Sequence, residues 1–366
     1  MSLSVECCSF AENKITKDMI LSDFSYREGT GWQLDKLSLD KLNLIVGLNS
    51  VGKSRTMVAI GNVVHFIKGE QQSIVADFSC SMTLHNHHSI SYSFEVQAGV
   101  IESEKLSVDG VCKIERDTEV ASMYGESINP PSNKLVIQAR RDTKRYPEVE
   151  EIIQWAEQTS VFVFSNITTS PNSLSPYTIS SEPLLPVMYE KLPASLQELL
   201  IDCLRKMNYQ INRLEVNELP SGSKMLLIYE EGVTMPMRPF ELSNGMFRVI
   251  CSLLYMMYCS TLSSARCLII DDIGEGLDYM RSTMLGKMVF RFCEENDIQL
   301  IATSNDSFLM DVVDLRYWNI LLRRGGNVSS LNSKKNANLF ESFARTGLNN
   351  FDLLSSNFII NHTPYE

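Results

Sequence analysis

Three short segments carry side chains whose types and spacing could do phosphate chemistry. The first is Gly47-Leu48-Asn49-Ser50-Val51-Gly52-Lys53-Ser54, which satisfies G-x-x-x-x-G-K-[ST]. In such a loop the glycines Gly47 and Gly52 let successive backbone N–H groups curl around an anion. Asn49, Ser50, Val51 and Arg55 belong to the same cradle, Lys53 reaches the outer phosphates, and Ser54 offers its hydroxyl to Mg²⁺. The second is Cys267-Leu268-Ile269-Ile270-Asp271-Asp272, an apolar run ending in two carboxylates. Asp271 would hold Mg²⁺, directly or through water. Asp272 would orient or deprotonate the water that attacks phosphorus, because phosphoryl transfer is mostly positioning and charge stabilisation. The third is Ser243-Asn244-Gly245, directly before a long apolar stretch. A serine N-cap, the Gly245 amide and a helix N-terminus make a second anion-binding end. One subunit has little use for two such ends.

These groups need rigid supports. The run Leu42-Asn43-Leu44-Ile45-Val46 predicts a buried strand before the first loop, and Thr56 to Ile67 predicts an apolar-faced helix after it. Short strands are expected over Met19 to Phe24 and Trp32 to Leu39. From Ser73 to Glu115 apolar and polar residues alternate, most cleanly over Ser89 to Val96, with breaks at Ala98-Gly99 and Asp109-Gly110 that suit hairpins. Ser127 to Asn133 and Ser165 to Pro186 read as connectors, with a helix over Pro147 to Gln158 between them. An amphipathic helix over Leu192 to Met207 and strands over Ile211 to Val216 and Lys224 to Glu231 follow. Phe247 to Thr261 is a long apolar helix. No internal repeat, sustained heptad or low-complexity tract is present.

The three segments together resemble the ABC-type P-loop (AAA-like) ATPases, in particular the RecF/SMC-like, OLD-related group of bacterial DNA repair and anti-phage defence. Leu242-Ser243-Asn244-Gly245-Met246 looks like their LSGGQ signature. Asp271-Asp272-Ile273-Gly274-Glu275-Gly276-Leu277-Asp278 is similar to the stretch from Walker B to the D-loop. Gln299 to Asp306 resembles the final strand and switch, usually T-T-H-S. The resemblance covers residues 19 to about 345. It implies ATP and Mg²⁺ as cofactors, and a homodimer in which Ser243 of one subunit completes the site holding Lys53 of the other. Two departures stand out. Asp272 occupies the place of the usual glutamate, one methylene shorter, and Asn305 that of the switch histidine. Both retain polar contact with water or phosphate but lack the usual reach or basicity, so tight binding with slow hydrolysis is expected, with Asp272, Asn305 and Lys53 as catalytic groups.

The remaining chemistry-bearing residues have simpler uses beside the functional ones. His85, His87 and His88 lack cysteine partners in metal-ligand spacing and suit a solvated turn. Arg140-Arg141-Asp142-Thr143-Lys144-Arg145 is the one local basic run. It would either grip phosphates or form a surface neutralised by its acidic neighbours. Arg323-Arg324-Gly325-Gly326 suits a hairpin turn, Tyr26 and Trp32 suit the core better than adenine stacking, and Gln138 is a Q-loop candidate that no local pattern fixes.

The expected fold is α/β, an ABC-type P-loop head with an antiparallel β-lobe, a helical lobe and no long coiled coil. Residues 1–366 form one head. Within it, 19–125 hold the first strands, the loop and the β-lobe, 126–235 an elaborated insertion, 236–345 the signature to the switch, and 346–366 a tail. Nine scattered cysteines without C-x-x-C spacing and the absence of a signal-peptide pattern suit a soluble protein of the cytoplasm, with no membrane role. A net charge of −11 argues against a nucleic-acid coat while leaving a local contact open. About 20 residues follow Thr346, too few for a further domain of roughly 50. The expected function is therefore an ATP-driven switch acting on nucleic acid or on a separate effector chain, a nuclease or toxin. The alternatives are a scaffold that binds ATP without hydrolysing it and, further off, a transporter cassette.

Overall fold

The computed structural model describes residues 19–70, 77–118, 120–163, 184–262, 266–356 and 358–359. It begins with an antiparallel pair, β1 (Ile20–Glu28) and β2 (Gln33–Ser38), followed by β3 (Leu42–Val46) and α1 (Lys53–Lys68). All five β3 residues are buried, as a strand covered on both faces requires. A meander follows: β4 (Phe78–His85), β5 (Ser89–Gln97), β6 (Val100–Val108), β7 (Val111–Arg116), β8 (Ala121–Met123) and β9 (Glu126–Ile128). Its strands alternate buried and open residues because only one face is covered. Ala98-Gly99 and Asp109-Gly110 turn with positive φ at both residues, which matches the twist of the strands they join.

Next come α2 (Val136–Ala139), α3 (Pro147–Gln158), β10 (Thr159–Val163), α4 (Leu184–Lys191), α5 (Ala194–Lys206), β11 (Ile211–Glu218) and β12 (Lys224–Glu230). The last part comprises α6 (Asn244–Ser260), β13 (Cys267–Asp271), α7 (Tyr279–Glu295), β14 (Gln299–Thr303), α8 (Ser307–Val312), β15 (Trp318–Arg324), β16 (Asn327–Asn332), α9 (Ala337–Ala344) and α10 (Asp352–Ser355).

Fourteen strands form one sheet in the order β10-β13-β14-β3-β15-β16-β2-β1-β4-β5-β6-β7-β8-β9. The first five run parallel, so their C-terminal ends meet at one edge. Alternate residues feed two cores. Leu42, Leu44, Val46, Leu268 and Ile270 face α6 and α7, while Ile45, Cys267, Ile269 and Ile301 face α1 and α3. Each large apolar side chain buried this way contributes about 1.5–3 kcal/mol.

Two expectations need correction. The antiparallel strands are not a separate lobe: β16 pairs with β2 and joins them to the parallel strands in one continuous sheet. The 126–235 stretch is not confined to an insertion either, because β10 lies parallel beside β13 in the central sheet. By contrast, β11 and β12 stay outside that sheet and pair with each other beside α4 and α5. Most of the Ser165 to Pro186 connector lies outside the described residues, and its last three residues open α4.

Candidate nucleotide site

The Gly47–Ser54 loop leaves β3 at the shared C-terminal edge and enters α1. Gly47 has φ 154°, and a Cβ there would meet the Leu321 carbonyl at 2.8 Å, so only glycine lets the loop pass β15 this closely. Gly52 (φ 113°) and Ser50 (φ 66°) complete the curl. No side chain caps the first turn of the 16-residue α1, so the N–H groups of Lys53, Ser54 and Arg55 are free of intrahelical partners. An uncapped end of this kind attracts an anion. Lys53 is buried and its Nζ donates to the carbonyls of Gly47 (2.7 Å) and Leu48 (3.1 Å). Burial lowers its pKa, opposed by the charges of Asp272 and Asp271.

The two carboxylates arrive from β13, separated from β3 by β14 alone. Asp271 is fully buried, and its Oδ1 accepts a 2.6 Å bond from the Thr303 hydroxyl. Its Oδ2 is buried without a hydrogen-bond partner. Burial raises the Asp271 pKa, with Thr303, Ser54, Arg248 and Lys53 holding it down. A buried carboxylate oxygen left open beside a serine hydroxyl suits a hard, oxygen-loving dication, so Asp271 and Ser54 fit Mg²⁺.

Asp272 has φ 59°, a left-handed conformation that Asp tolerates better than most residues. Its N–H donates to Thr303 Oγ1 at 2.7 Å, and its Oδ1 accepts from Asn305 Nδ2 at 3.2 Å. Its pKa is pushed up to about 6, first by burial and then by the neighbouring Glu275 and Asp271 carboxylates. Lys53, Ser54, Asp271, Asp272 and Asn305 are thus gathered at one edge by three adjacent strands.

Ser243, Asn244 and Gly245 lie apart from this group. Ser243 caps α6 by accepting from Met246 N at 3.3 Å. Ser243 and Asn244 are exposed. Among the described residues, no hydrogen bond links them or Gly245 to the Gly47–Ser54 loop. Gly245 instead packs on the backbone after β13, where an added Cβ would sit 3.0 Å from the Gly276 carbonyl.

Arg55 also turns away. Its guanidinium binds Glu28 and Thr30 and covers the Trp32 ring at 4.8 Å, leaving its backbone N–H as what it offers the loop. The side chains of Asn49 and Val51 take no part in the carboxylate cluster; Val51 packs against the core facing α1.

Other candidates resolve into structural parts. Gln138 Nε2 donates to the carbonyls of Phe66 and Ile67 at the far end of α1, about 20 Å along the helix from the loop, so it is not a Q-loop residue. Arg140, Arg141 and Arg145 pair with Glu126, Glu150 and Glu157, which suits a surface neutralised by its acidic neighbours. Tyr26 and Trp32 are core residues. His88 pairs with Asp109 on an exposed turn, and no cluster of three or more metal-ligating side chains occurs among the described residues.

Four residues at the site had no assigned role in sequence. Thr303 ends an apolar strand. Glu275 sits in the connection between β13 and α7. Arg248, whose Nη2 reaches Glu275 at 2.7 Å and whose Nη1 reaches the Asp272 carbonyl at 3.4 Å, is the single charged residue of α6, which was a usable signal. Arg323 donates to the Ser50 carbonyl at 3.0 Å.

Comparison with solved structures gives the same architecture. The chain matches the crystal structure of the SMC head bound to the C-winged helix domain of ScpA, with a TM-score of 0.56. The match covers 87% of this chain and 99% of that one at 13% identity. The fold is that of an SMC head. No protein-family model matches the chain, and no curated protein matches it. Among the described residues, no helix is long and apolar enough to cross a membrane.

Proposed function

We propose that this protein binds ATP with Mg²⁺, hydrolyses it slowly, and uses the bound state to join two copies head to tail. The observation that carries this is the convergence of Lys53, Ser54, Asp271, Asp272 and Asn305 on one sheet edge, with Asp271 Oδ2 open and buried. Lys53 would exchange its two loop carbonyls for β- and γ-phosphate oxygens. Ser54 and Asp271 would hold Mg²⁺, which when bound supplies charge neutralisation across the phosphates. Asp272, positioned by Thr303 and Asn305, would accept a proton from the attacking water while the bond from γ-phosphorus to the bridging oxygen breaks and ADP departs. A short carboxylate that already competes for a proton with Glu275 favours slow turnover.

The dimer is supported by the exposure of Ser243 and Asn244 at the N-terminal end of α6 and by exposed apolar side chains near the sheet edge. Leu48 is 66% and Tyr279 64% exposed, with Tyr279 stacked edge-on against Phe308. Ser243, Asn244 and the Gly245 amide would bind the γ-phosphate held by the second copy, so that hydrolysis separates the pair. The SMC head was crystallised with a protein domain bound, and by that analogy we assign this chain a protein partner. A nuclease or toxin effector in bacterial anti-phage defence, or a nucleic-acid partner in DNA repair, are the roles we put forward for the switch.

The test is the solution mass of the protein with and without ATP and Mg²⁺, for wild type and Asp272→Asn, with phosphate release recorded alongside. ATP-dependent dimers that persist in the variant, with slow release in wild type only, are expected. A mass indifferent to nucleotide in both proteins would overturn the composite site.

A further inference from the structure

A nucleotide held as above must place its base somewhere, and strand order says where. Asp271, Asp272 and Asn305 follow β13 and β14 on one side of β3, while β15, β16 and β2 lie on the other. With the outermost phosphate beside the carboxylates, the loop passes the ribose and base toward β15, above the strand ends. Two turns line that edge. The β15–β16 turn lies against the β1–β2 turn so tightly that a side chain at Gly326 would strike the Gly31 carbonyl, and Gln33 N donates to Gly326 O at 3.0 Å.

Among the described residues no aromatic ring is offered there. Tyr26 and Trp32 are each 2% exposed, and Arg55 covers Trp32. The large exposed rings among the described residues are Phe240, before α6, and Tyr279 and Phe308, which follow β13 and β14 on the opposite side. What the edge does offer is a guanidinium. Arg323 is exposed, its Nη1 donates to Ser50 O at 3.0 Å, and its Nε donates to Gly325 O at 2.8 Å. Two bonds from different nitrogens to two carbonyls fix the plane of the group beside the tip of the loop. A planar, weakly hydrated guanidinium stacks on an aromatic face as readily as a side-chain ring does.

We propose that Arg323 is the base platform of this site, stacking its guanidinium on the purine of the bound nucleotide; this rests on the nucleotide assignment above. A stacking contact reads a π-face rather than a hydrogen-bonding edge, so adenine and guanine are held almost equally by Arg323.

Calorimetric titration of the full chain with MgATP, MgGTP and Mg-tripolyphosphate separates the possibilities, because tripolyphosphate has neither base nor ribose. Arg323→Ala and Arg323→Lys should each weaken ATP and GTP by about three- to thirty-fold and leave tripolyphosphate unchanged. Lysine keeps the charge without the plane, so its failure to rescue identifies stacking. Equal weakening of all three ligands would mean that Arg323 only braces Ser50, and unchanged ATP affinity would mean that it does nothing; either overturns the platform. Lys53→Ala should weaken all three. A wild-type protein that binds none of them overturns the nucleotide assignment, and the platform with it.

Discussion

Replacing Thr303 by valine removes one oxygen and almost no volume, yet that oxygen serves both carboxylate positions. Thr303 is 1% exposed; its hydroxyl donates to Asp271 Oδ1 at 2.6 Å and accepts from Asp272 N at 2.7 Å. Thr303→Val therefore takes a 2.6 Å hydrogen bond from a fully buried carboxylate and leaves a backbone N–H without its acceptor. A hydrogen bond to a charged group contributes about 1.5–3 kcal/mol, and an orphaned buried donor costs about 1–3 kcal/mol. Their sum, about 3–5 kcal/mol after allowing for local relaxation, is a large share of a typical folding free energy of about 5–15 kcal/mol. With an m-value near the upper end for urea, about 3 kcal/mol/M, the unfolding midpoint should fall by about 1 M or more.

Thr303→Ser is the matched control. It keeps the hydroxyl and loses a methyl, which costs about 1 kcal/mol. Urea titrations followed by tryptophan fluorescence compare the three proteins, with MgATP affinity measured on each. The serine variant should stay near wild type in both, and the valine variant should lose both stability and affinity. If valine proves as stable as wild type and serine the weaker of the two, the methyl matters and the hydroxyl does not, and the account of how Asp271 and Asp272 are positioned is wrong.

Other expected outcomes follow from the same geometry. Lys53→Ala should lose MgATP binding in a titration, and an unchanged affinity would count against the loop. Ser243→Arg should bind MgATP as wild type does while remaining monomeric by light scattering; a variant that still dimerises would remove Ser243 from the composite site. Arg141→Ala should leave nucleic-acid affinity and its salt slope unaltered, because the group pairs with the buried Glu150, and should instead destabilise the fold by about 1–3 kcal/mol in urea. Glu104 is buried and accepts from Tyr92 OH, Val136 N and Ile137 N, and burial raises its pKa against those bonds. A raised carboxyl pKa favours the fold fully below the unfolded value and loses that contribution as pH rises through the folded value. The stability of wild type relative to Glu104→Gln should therefore decline from pH 4 toward neutrality, and a flat difference would refute it.

What the sequence made legible is what local spacing can encode. Gly47 and Gly52 stand where φ is 154° and 113°, and a residue type with one conformational use announces itself wherever it falls. Runs such as Leu42–Val46 and the alternation over Ser89 to Val96 announce strands in the same local way, through how many faces are covered. Alternation says that a strand has one wet face but not which strand it pairs with, so the parallel joint between β16 and β2, which turns the expected lobe into a continuation of the sheet, was beyond reach. The site residues without an assigned role share that cause. Thr303 meets Asp271 across 32 positions and Arg323 meets Ser50 across 273, contacts that follow from strand order and leave no spacing behind. Arg248 differs, because a lone charge in an otherwise uncharged helix must find a partner when that helix packs. Its partners, the Asp272 carbonyl and Glu275, lie on the 272–277 stretch, against which Gly245 also packs its backbone. The N-terminal part of α6 and the backbone that carries Asp272 are therefore tied by direct contacts, Gly245 to Gly276 and Arg248 to both Glu275 and the Asp272 carbonyl.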